Sequence, residues 1–332
     1  MAGRALAFSD AEIVKMARED YVPVACDDWY QRRRQDAEGD FFRQVSDQGP
    51  RGHGDDTRQG IYMLTADGEL LAYKNAGQNA EVMREVLKGA LGKWNKLSES
   101  RRKPGAVTVP DAGRLDGGYT RKAPAGGLVV NVYARALEKS AAKGTVSDAV
   151  CKLGDGDEAS RDHLWLTADE WRSLVPKDAK AGDRFPVAPG ITRRITRFHL
   201  IDNTRGEPPM WRREDVRTAE LNATVREADA SHVLVRLEGE ALLATEGDPA
   251  SSKRGYDAAV LGYVRYDKAA DRVDRFDLVA LGDHWGEGTF TRGARTGRRP
   301  LGIAFELARG DKPGDTVPPQ AAREQQEYFA AR

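Results

Sequence analysis

Apolar positions recur along this chain with a helical period in its first third and a strand-like rhythm thereafter. From Asp10 to about Asp20, Ile13, Val14, Met16 and Ala17 share one side of a helix that Ser9 or Asp10 would cap. Tyr21–Cys26 is a short apolar, β-rich run. Asp27 and Asp28 then open a charged helix reaching Val45, with its acids in the first turn to suit the dipole. Residues 46–60 are rich in Gly, Asp and Arg and read as a loop. Gly60–Thr65 and Leu70–Lys74 are strands joined by a turn at Ala66–Glu69, which makes a hairpin. Asn79–Leu97 is a helix, because Val82, Met83, Val86, Leu87, Ala90, Leu91 and Trp94 fall at i, i+3, i+4, i+7 spacing.

The pattern stops between Ser98 and Gly126, where Pro110, Gly113, Gly117, Gly118 and Pro124 mark an interdomain linker. The basic residues Arg101, Arg102 and Lys103 at its start read as a solvated helix end. Beyond the linker the chain is rich in strands: Leu128–Leu137, Asp162–Thr167, Val216–Arg226, His232–Thr245, Tyr256–Tyr266, Arg272–Leu281 and Leu301–Ala308. Thr167 suits the N-cap of a helix over Ala168–Leu174, and Ile191, Ile195 and Phe198 give Ile191–Ile201 a helical spacing. Strands at these intervals predict an antiparallel sandwich or barrel with a few helices. After Gly310, Pro313, Pro318 and Pro319 indicate a tail that ends in a short helix. The fold class is therefore α+β: an α/β domain at 1–98, a linker at 99–126, a β-rich domain at 127–310 and a tail at 311–332.

The order helix, strand, helix, strand, hairpin strand, helix over residues 10–98 resembles the thioredoxin-like superfamily. The residues that carry the likeness are Val22–Trp29 ahead of a long helix, and Ile61–Gly68 followed by a helix ending in Trp94. The resemblance implies a mixed sheet in which the 60–65 and 70–74 strands pair antiparallel, covered by the 28–45 and 79–97 helices. It also implies a dithiol, Cys-x-x-Cys, at a helix N-terminus. Here that place holds Cys26, Asp27, Asp28 and Trp29, and the position of the family's cis-proline holds Thr57–Gly60. Dithiol chemistry is not expected. Asp27 and Asp28 would raise the pKa of the Cys26 thiol against the helix dipole. One-cysteine redox chemistry at Cys26 stands as an alternative, beside a structural role for a small residue at a strand end.

A length of 332 residues suits two domains, and 40% apolar with 31% charged residues suits a globular chain. Basic and acidic residues balance at 52 each, which removes any global attraction to nucleic acid or to anionic membranes. No apolar run approaches the roughly 18 residues that a membrane span needs. The first ten residues lack an apolar signal core, which implies a cytoplasmic protein as the sequence stands, or an extracytoplasmic one if a signal peptide has been removed. Cys26 and Cys151 are too few for a disulfide framework and read as separate thiols. A nucleophile elbow, a Walker loop and zinc-ribbon spacing are all missing, so no nucleotide cofactor is expected.

Histidines supply the sharper candidate. His163, His199 and His284 each lie in apolar or aromatic surroundings, and three imidazoles around an open position can hold zinc, copper or iron. Asp162, Asp202, Asp283 and Glu287 accompany them, and Asp202 or Glu287 could act as ligand or general base. Trp165 and Trp285 would then wall the pocket, whereas His53 and His232 read as exposed. The spacing is not local, so three unrelated buried histidines explain the pattern equally well. Beside one-cysteine redox chemistry at Cys26, two functional classes are open. One is a metal-binding protein or metal-dependent enzyme with a divalent cofactor; the other is a non-enzymatic binding or scaffold protein whose partner is a small molecule or a protein.

Overall fold

The computed structural model describes residues 7–8, 10–52, 57–75, 79–108, 113–139, 146–150 and 159–330, with the backbone alone for 139 and 146–150. His53 and Cys151 lie outside the described residues. The chain divides into two units, one ending at Arg121 and the other starting at Lys122.

The first unit contains α1 (Ala11–Glu19), α2 (Asp28–Gln31), α3 (Ala37–Ser46), β1 (Ile61–Leu64), β2 (Leu70–Lys74), α4 (Ala80–Lys96) and α5 (Glu99–Arg102). Asp10 caps α1 by accepting the Ile13 N–H at 3.1 Å, and Asn79 caps α4 through the Val82 N–H at 2.8 Å. The apolar stripes of both helices meet the hairpin. Ile13 and Met16 pack with Met63, Leu71, Met83, Leu87 and Ala90 as the unit's core. β1 and β2 pair antiparallel across a turn in which Gly68 adopts φ +86°, a value that favours glycine.

Several expectations for this unit need correcting. Tyr21–Cys26 forms no strand: it is extended and unpaired, with Val22 89% and Val24 80% exposed, and Pro23 withholds a ladder donor. Among the described residues β1 and β2 pair only with each other, so the expected mixed sheet is reduced to a hairpin. The helix expected from Asp28 to Val45 is broken into α2 and α3 by a buried ion pair. Arg34 Nη2 lies 2.6 Å from Asp36 Oδ2, and Asp36 also caps α3 by accepting the Gly39 N–H at 3.1 Å. The fit at Gly39 is tight, since a Cβ there would meet the Arg34 carbonyl oxygen at 2.3 Å. Asp36 further accepts the Asp116 N–H, and Asp116 accepts that of Gln35, each at 2.8 Å. Part of the expected linker is thereby built into the first unit.

The second unit is dominated by one antiparallel sheet. Its strands are β3 (Leu128–Lys139), β4 (Val146–Val150), β5 (Ser160–Leu166), β6 (Arg184–Pro186), β7 (Val216–Ala228), β8 (His232–Ala244), β9 (Gly255–Asp267), β10 (Arg272–Trp285) and β11 (Arg299–Leu307). Their order is β4-β3-β11-β10-β9-β8-β7-β6, with β5 also on β3. This is a single open path, not the two sheets of a sandwich, and among the described residues no ladder closes it into a barrel. Alternation places one side of each long strand inward: on β9, Tyr256, Ala258, Val260, Val264 and Tyr266 are buried, while Asp257, Leu261 and Arg265 face out. Gly239 and Gly282 allow close strand approach, since a Cβ at either would lie within 2 Å of a carbonyl oxygen on the neighbouring strand (1.8 Å and 1.9 Å).

The inward face is covered by α6 (Ala168–Leu174), α7 (Pro189–Arg194) and the chain just after α7. Thr167 caps α6 as expected, in a reciprocal capping box with Glu170. The segment expected to be a tail is packed. Ala321, Ala322 and Tyr328, the last on α8 (Gln325–Tyr328), are buried with Trp165 and Phe198. Among the described residues no helix is long and apolar enough to cross a membrane.

The Arg34–Asp36 pair generates a testable expectation. Arg34's hydrogen bond holds the Asp36 carboxyl well below the usual carboxylate range, against the opposing effect of burial and with help from the Asp116 and Gly39 N–H groups. A depressed folded value means the stabilisation is full above the ordinary carboxylate pKa and is lost as pH falls through the folded one. Asp36→Ala removes the α3 cap and leaves Arg34 with Glu38 alone, 2.9 Å from Nη1, and should cost roughly 1–3 kcal/mol. Urea unfolding followed by circular dichroism would measure this; a loss under about 0.5 kcal/mol, the level of an ordinary surface change, would refute the role.

Candidate functional site

Pro189 starts α7 at a position where its missing N–H costs nothing. α7 runs into a π turn at Ile195–His199, closed by the Leu200 N–H on the Ile195 carbonyl at 3.0 Å. From Arg194 to Thr204 every residue is buried, although Arg194, Thr196, Arg197, His199, Asp202, Asn203 and Thr204 are polar. Buried polar groups require partners, so this run organises its surroundings.

Arg194 is well provided for. Its Nε donates to the Tyr328 carbonyl at 2.8 Å, its Nη1 to the Trp165 carbonyl at 3.1 Å, and its two Nη atoms to Glu170 at 2.6 and 2.7 Å. His199 Nε2 lies 3.0 Å from the Tyr328 hydroxyl, which itself accepts the Trp165 N–H at 3.0 Å. On the other side of the ring Nδ1 lies 3.4 Å from Asp162 Oδ2 without a hydrogen bond to it. Asp162 also accepts the Gln320 N–H at 3.0 Å, so the C-terminal segment is tied to β5.

A second polar cluster lies further along the run. Asp202 accepts the Thr204 N–H at 3.1 Å and hydroxyl at 2.5 Å, and Arg205 Nε at 3.0 Å, with His284 Nδ1 at 4.0 Å. Burial pushes the His284 pKa down to about 4, opposed by Asp202 and reinforced by Arg254 and Arg205. Burial acts to raise the Asp202 pKa, but His284, Thr204 and Arg205 outweigh it and hold the pKa low. The pair is therefore a neutral imidazole beside a carboxylate at neutral pH. Arg254 covers the cluster with its guanidinium 4.0 Å above the Trp211 ring.

The three expected histidines are not gathered around one point: His199 lies beside Asp162 and Tyr328 and is close enough to His163 to help lower its pKa, while His284 lies beside Asp202. His163 is buried with Nδ1 unpartnered, its pKa lowered chiefly by burial. Among the described residues no group of three or more His, Cys, Asp or Glu side chains is placed to hold a metal ion. Glu287 is exposed and accepts the Ala294 N–H at 3.1 Å. Trp165 and Trp285 are both buried, the first in an apolar cluster with Phe198 and Tyr328 and the second with its Nε1 bonded to the Ser252 carbonyl at 3.0 Å. In the first unit Cys26 is an exposed free thiol at the start of α2, and partial desolvation of its sulfur, with Asp27, Glu38 and Asp28, raises its pKa. That environment opposes thiolate formation and reactivity.

Sequence reasoning missed the opposite side of the same helix. Thr192, Arg193, Thr196 and Arg197 line an open cleft of about 550 Å³, together with Pro186, Val187, Pro189, Arg213 and the β7 residues Val216 and Ala219–Asn222. Arg197 is 5% exposed; its Nε donates to the Trp211 carbonyl at 2.9 Å and its Nη2 to Glu327 at 2.6 Å, but its Nη1 has no partner. Arg193 Nη1 is likewise buried and unpartnered. Glu220 is the one carboxylate that lines the cleft, against three guanidinium groups. The signal was present in the sequence as Arg193, Arg194 and Arg197 set among Ile191, Ile195 and Phe198.

No protein-family model, curated protein or solved structure matches this chain. Its function therefore has to be sought in these two faces of one segment.

Tyr328 and His284 each yield an expected outcome. Tyr328→Phe removes the hydroxyl shared by Trp165 and His199 and should cost roughly 1–3 kcal/mol, whereas Tyr328→Ala should cost about 3–5 kcal/mol. Chemical denaturation checks both, and a Tyr328→Phe variant as stable as the parent would mean the hydroxyl contributes nothing. For His284 the unfolded chain takes up a proton near 6.5 and the folded one only near 4. Stability is full above the higher value and falls as pH drops between the two, by on the order of 3 kcal/mol. His284→Gln should flatten that slope; an unchanged slope removes His284 as its cause.

Proposed function

We propose that the second unit is a binding module for an anionic ligand, held in the cleft by Arg193, Arg197 and Arg213. The observation that carries this reading is Arg197. A guanidinium buried to 5% exposure with an unmatched N–H at a cleft wall bears a desolvation cost that a carboxylate or phosphate oxygen would relieve. Trp211 and Glu327 hold the other nitrogens, which fixes the group before any ligand arrives and lowers the ordering cost of binding. Arginine also matches planar oxyanions in a fork that lysine lacks. The Thr192 and Thr196 side chains line the same wall and add polar neighbours.

The metal-dependent reading has weaker support, because His199 Nε2 is engaged by Tyr328 and, among the described residues, the three imidazoles do not form a ligand group. A scaffold role of the first unit remains compatible with anion binding by the second.

Titration calorimetry with phosphate, sulfate and citrate at low ionic strength tests the proposal. One saturable site is expected, weakened by added salt. Arg213→Ala, at an exposed position, should weaken binding while leaving the unfolding midpoint unchanged. Arg197→Lys should reduce affinity by about 10-fold or more, the equivalent of losing one charge-assisted hydrogen bond of ~1.5 kcal/mol. Heats that stay at the level of dilution for all three anions would refute the assignment, as would an Arg193→Ala/Arg213→Ala double variant that binds like the parent.

A further inference from the structure

The cleft is bounded on one side by an open strand edge. β7 pairs with β8 from Val216 to Ala228, but on its other edge β6 covers only Asn222–Thr224. The flanking bonds on that edge are Val187 N–H to the Leu221 carbonyl, Gly182 N–H to the Val225 carbonyl, and Val225 N–H to the Asp183 carbonyl, all at 2.9 Å. Alternate residues of an antiparallel strand direct their N–H and C=O to the same side. Leu221 and Val225 point toward β6, so Ala219 points the same way, and among the described residues nothing takes its N–H or C=O on that edge. Open edges of this kind are normally covered or guarded by charge, because they template another strand. Here the charges lining the cleft are Arg193, Arg197 and Arg213 with the carboxylate of Glu220, and Glu327 pairs with Arg197 from outside the lining, so guanidinium groups still outnumber carboxylates.

We infer that the cleft takes an extended acidic peptide segment, which adds to the β7 edge through the backbone of Ala219 and places a carboxylate on Arg197 and Arg193. The inference rests on the anion-binding reading above and names the ligand class for that site. Two independent observations converge on it: an unpaired backbone donor and acceptor at Ala219, and an excess of guanidinium charge with unmatched N–H groups across the cleft. An inorganic anion would satisfy only the second. A neutral strand would satisfy only the first. Strand addition supplies affinity through main-chain bonds and specificity through alternate side chains, and an acidic side chain at the arginines supplies the register. A volume of about 550 Å³ falls within the range of clefts that hold a compact ligand or a few peptide residues.

The test uses the full chain and an acetylated, amidated hexapeptide of alternating valine and glutamate, measured by titration calorimetry beside phosphate. Two further peptides carry backbone N-methyl groups on alternate residues, one on each set. The expected result is that the parent peptide binds at least 10-fold more tightly than phosphate, and that one N-methylated set, but not the other, loses at least 10-fold. Ala219→Pro, which deletes the edge N–H, should weaken the peptide by a similar factor. If Ala219→Pro disturbs folding, the N-methylated peptides on the parent protein decide the matter alone. Phosphate binding without tighter peptide binding, or peptide binding indifferent to both N-methyl sets, overturns strand addition and leaves the anion site standing. Binding of neither probe overturns both.

Discussion

Arg194 is the charge around which the second unit is arranged. A guanidinium carries five N–H donors and cannot shed its proton, so burying it obliges the protein to bring acceptors to it. Those acceptors come from three places far apart in sequence: the end of β5 at Trp165, the first turn of α6 at Glu170, and the C-terminal helix at Tyr328. Glu170 serves twice, closing the α6 capping box with the Thr167 N–H and pairing with Arg194. Burial acts to raise the Glu170 pKa, but Arg194 and Thr167 more than offset it, so the pKa is lowered and the pair stays ionised. The rings of Tyr328 and Phe329 lie 5.1 and 4.7 Å from the guanidinium and shield it further. With the helix fixed in this way, Arg193 and Arg197 are carried to the cleft side, where their free N–H groups remain.

Much of the architecture was legible because it depends on periodicity. The α4 stripe of Met83, Leu87 and Ala90 and the alternation of β9 are local patterns that any buried face imposes on its sequence. Thr167 and Asp10 were legible as caps for the same reason. What escaped was decided by contacts across long stretches of chain. The break between α2 and α3 depends on Asp36 meeting Asp116, 80 residues away, and no helical propensity could reveal it. Tyr21–Cys26 has strand-forming residues but no partner strand, so propensity alone misleads there.

The candidate site shows the same division. Burial of His163, His199 and His284 is implied by their apolar neighbours, but a shared centre required a convergence that sequence cannot supply. The partner of His199 is Tyr328, within a polar stretch, Gln325–Tyr328, that carries no apolar period and so gives no sign of being packed. Arg197 was hidden for the opposite reason. It stands in a segment whose helical spacing shows only through Ile191, Ile195 and Phe198, all of them buried apolar residues.

The π turn sets a condition on chain length as well as on residue type. Arg194 and His199 both reach Tyr328, through its carbonyl and its hydroxyl, yet they are five residues apart. On an uninterrupted α-helix such residues would point about 140° away from each other, at ~100° per residue. The wider turn at Ile195–His199 absorbs the surplus and lets both side chains meet one aromatic residue. Removing any single residue from that turn would turn His199 and everything after it out of phase with the helix before it. Descendants of this gene can therefore exchange side chains along the turn far more readily than they can shorten or lengthen it.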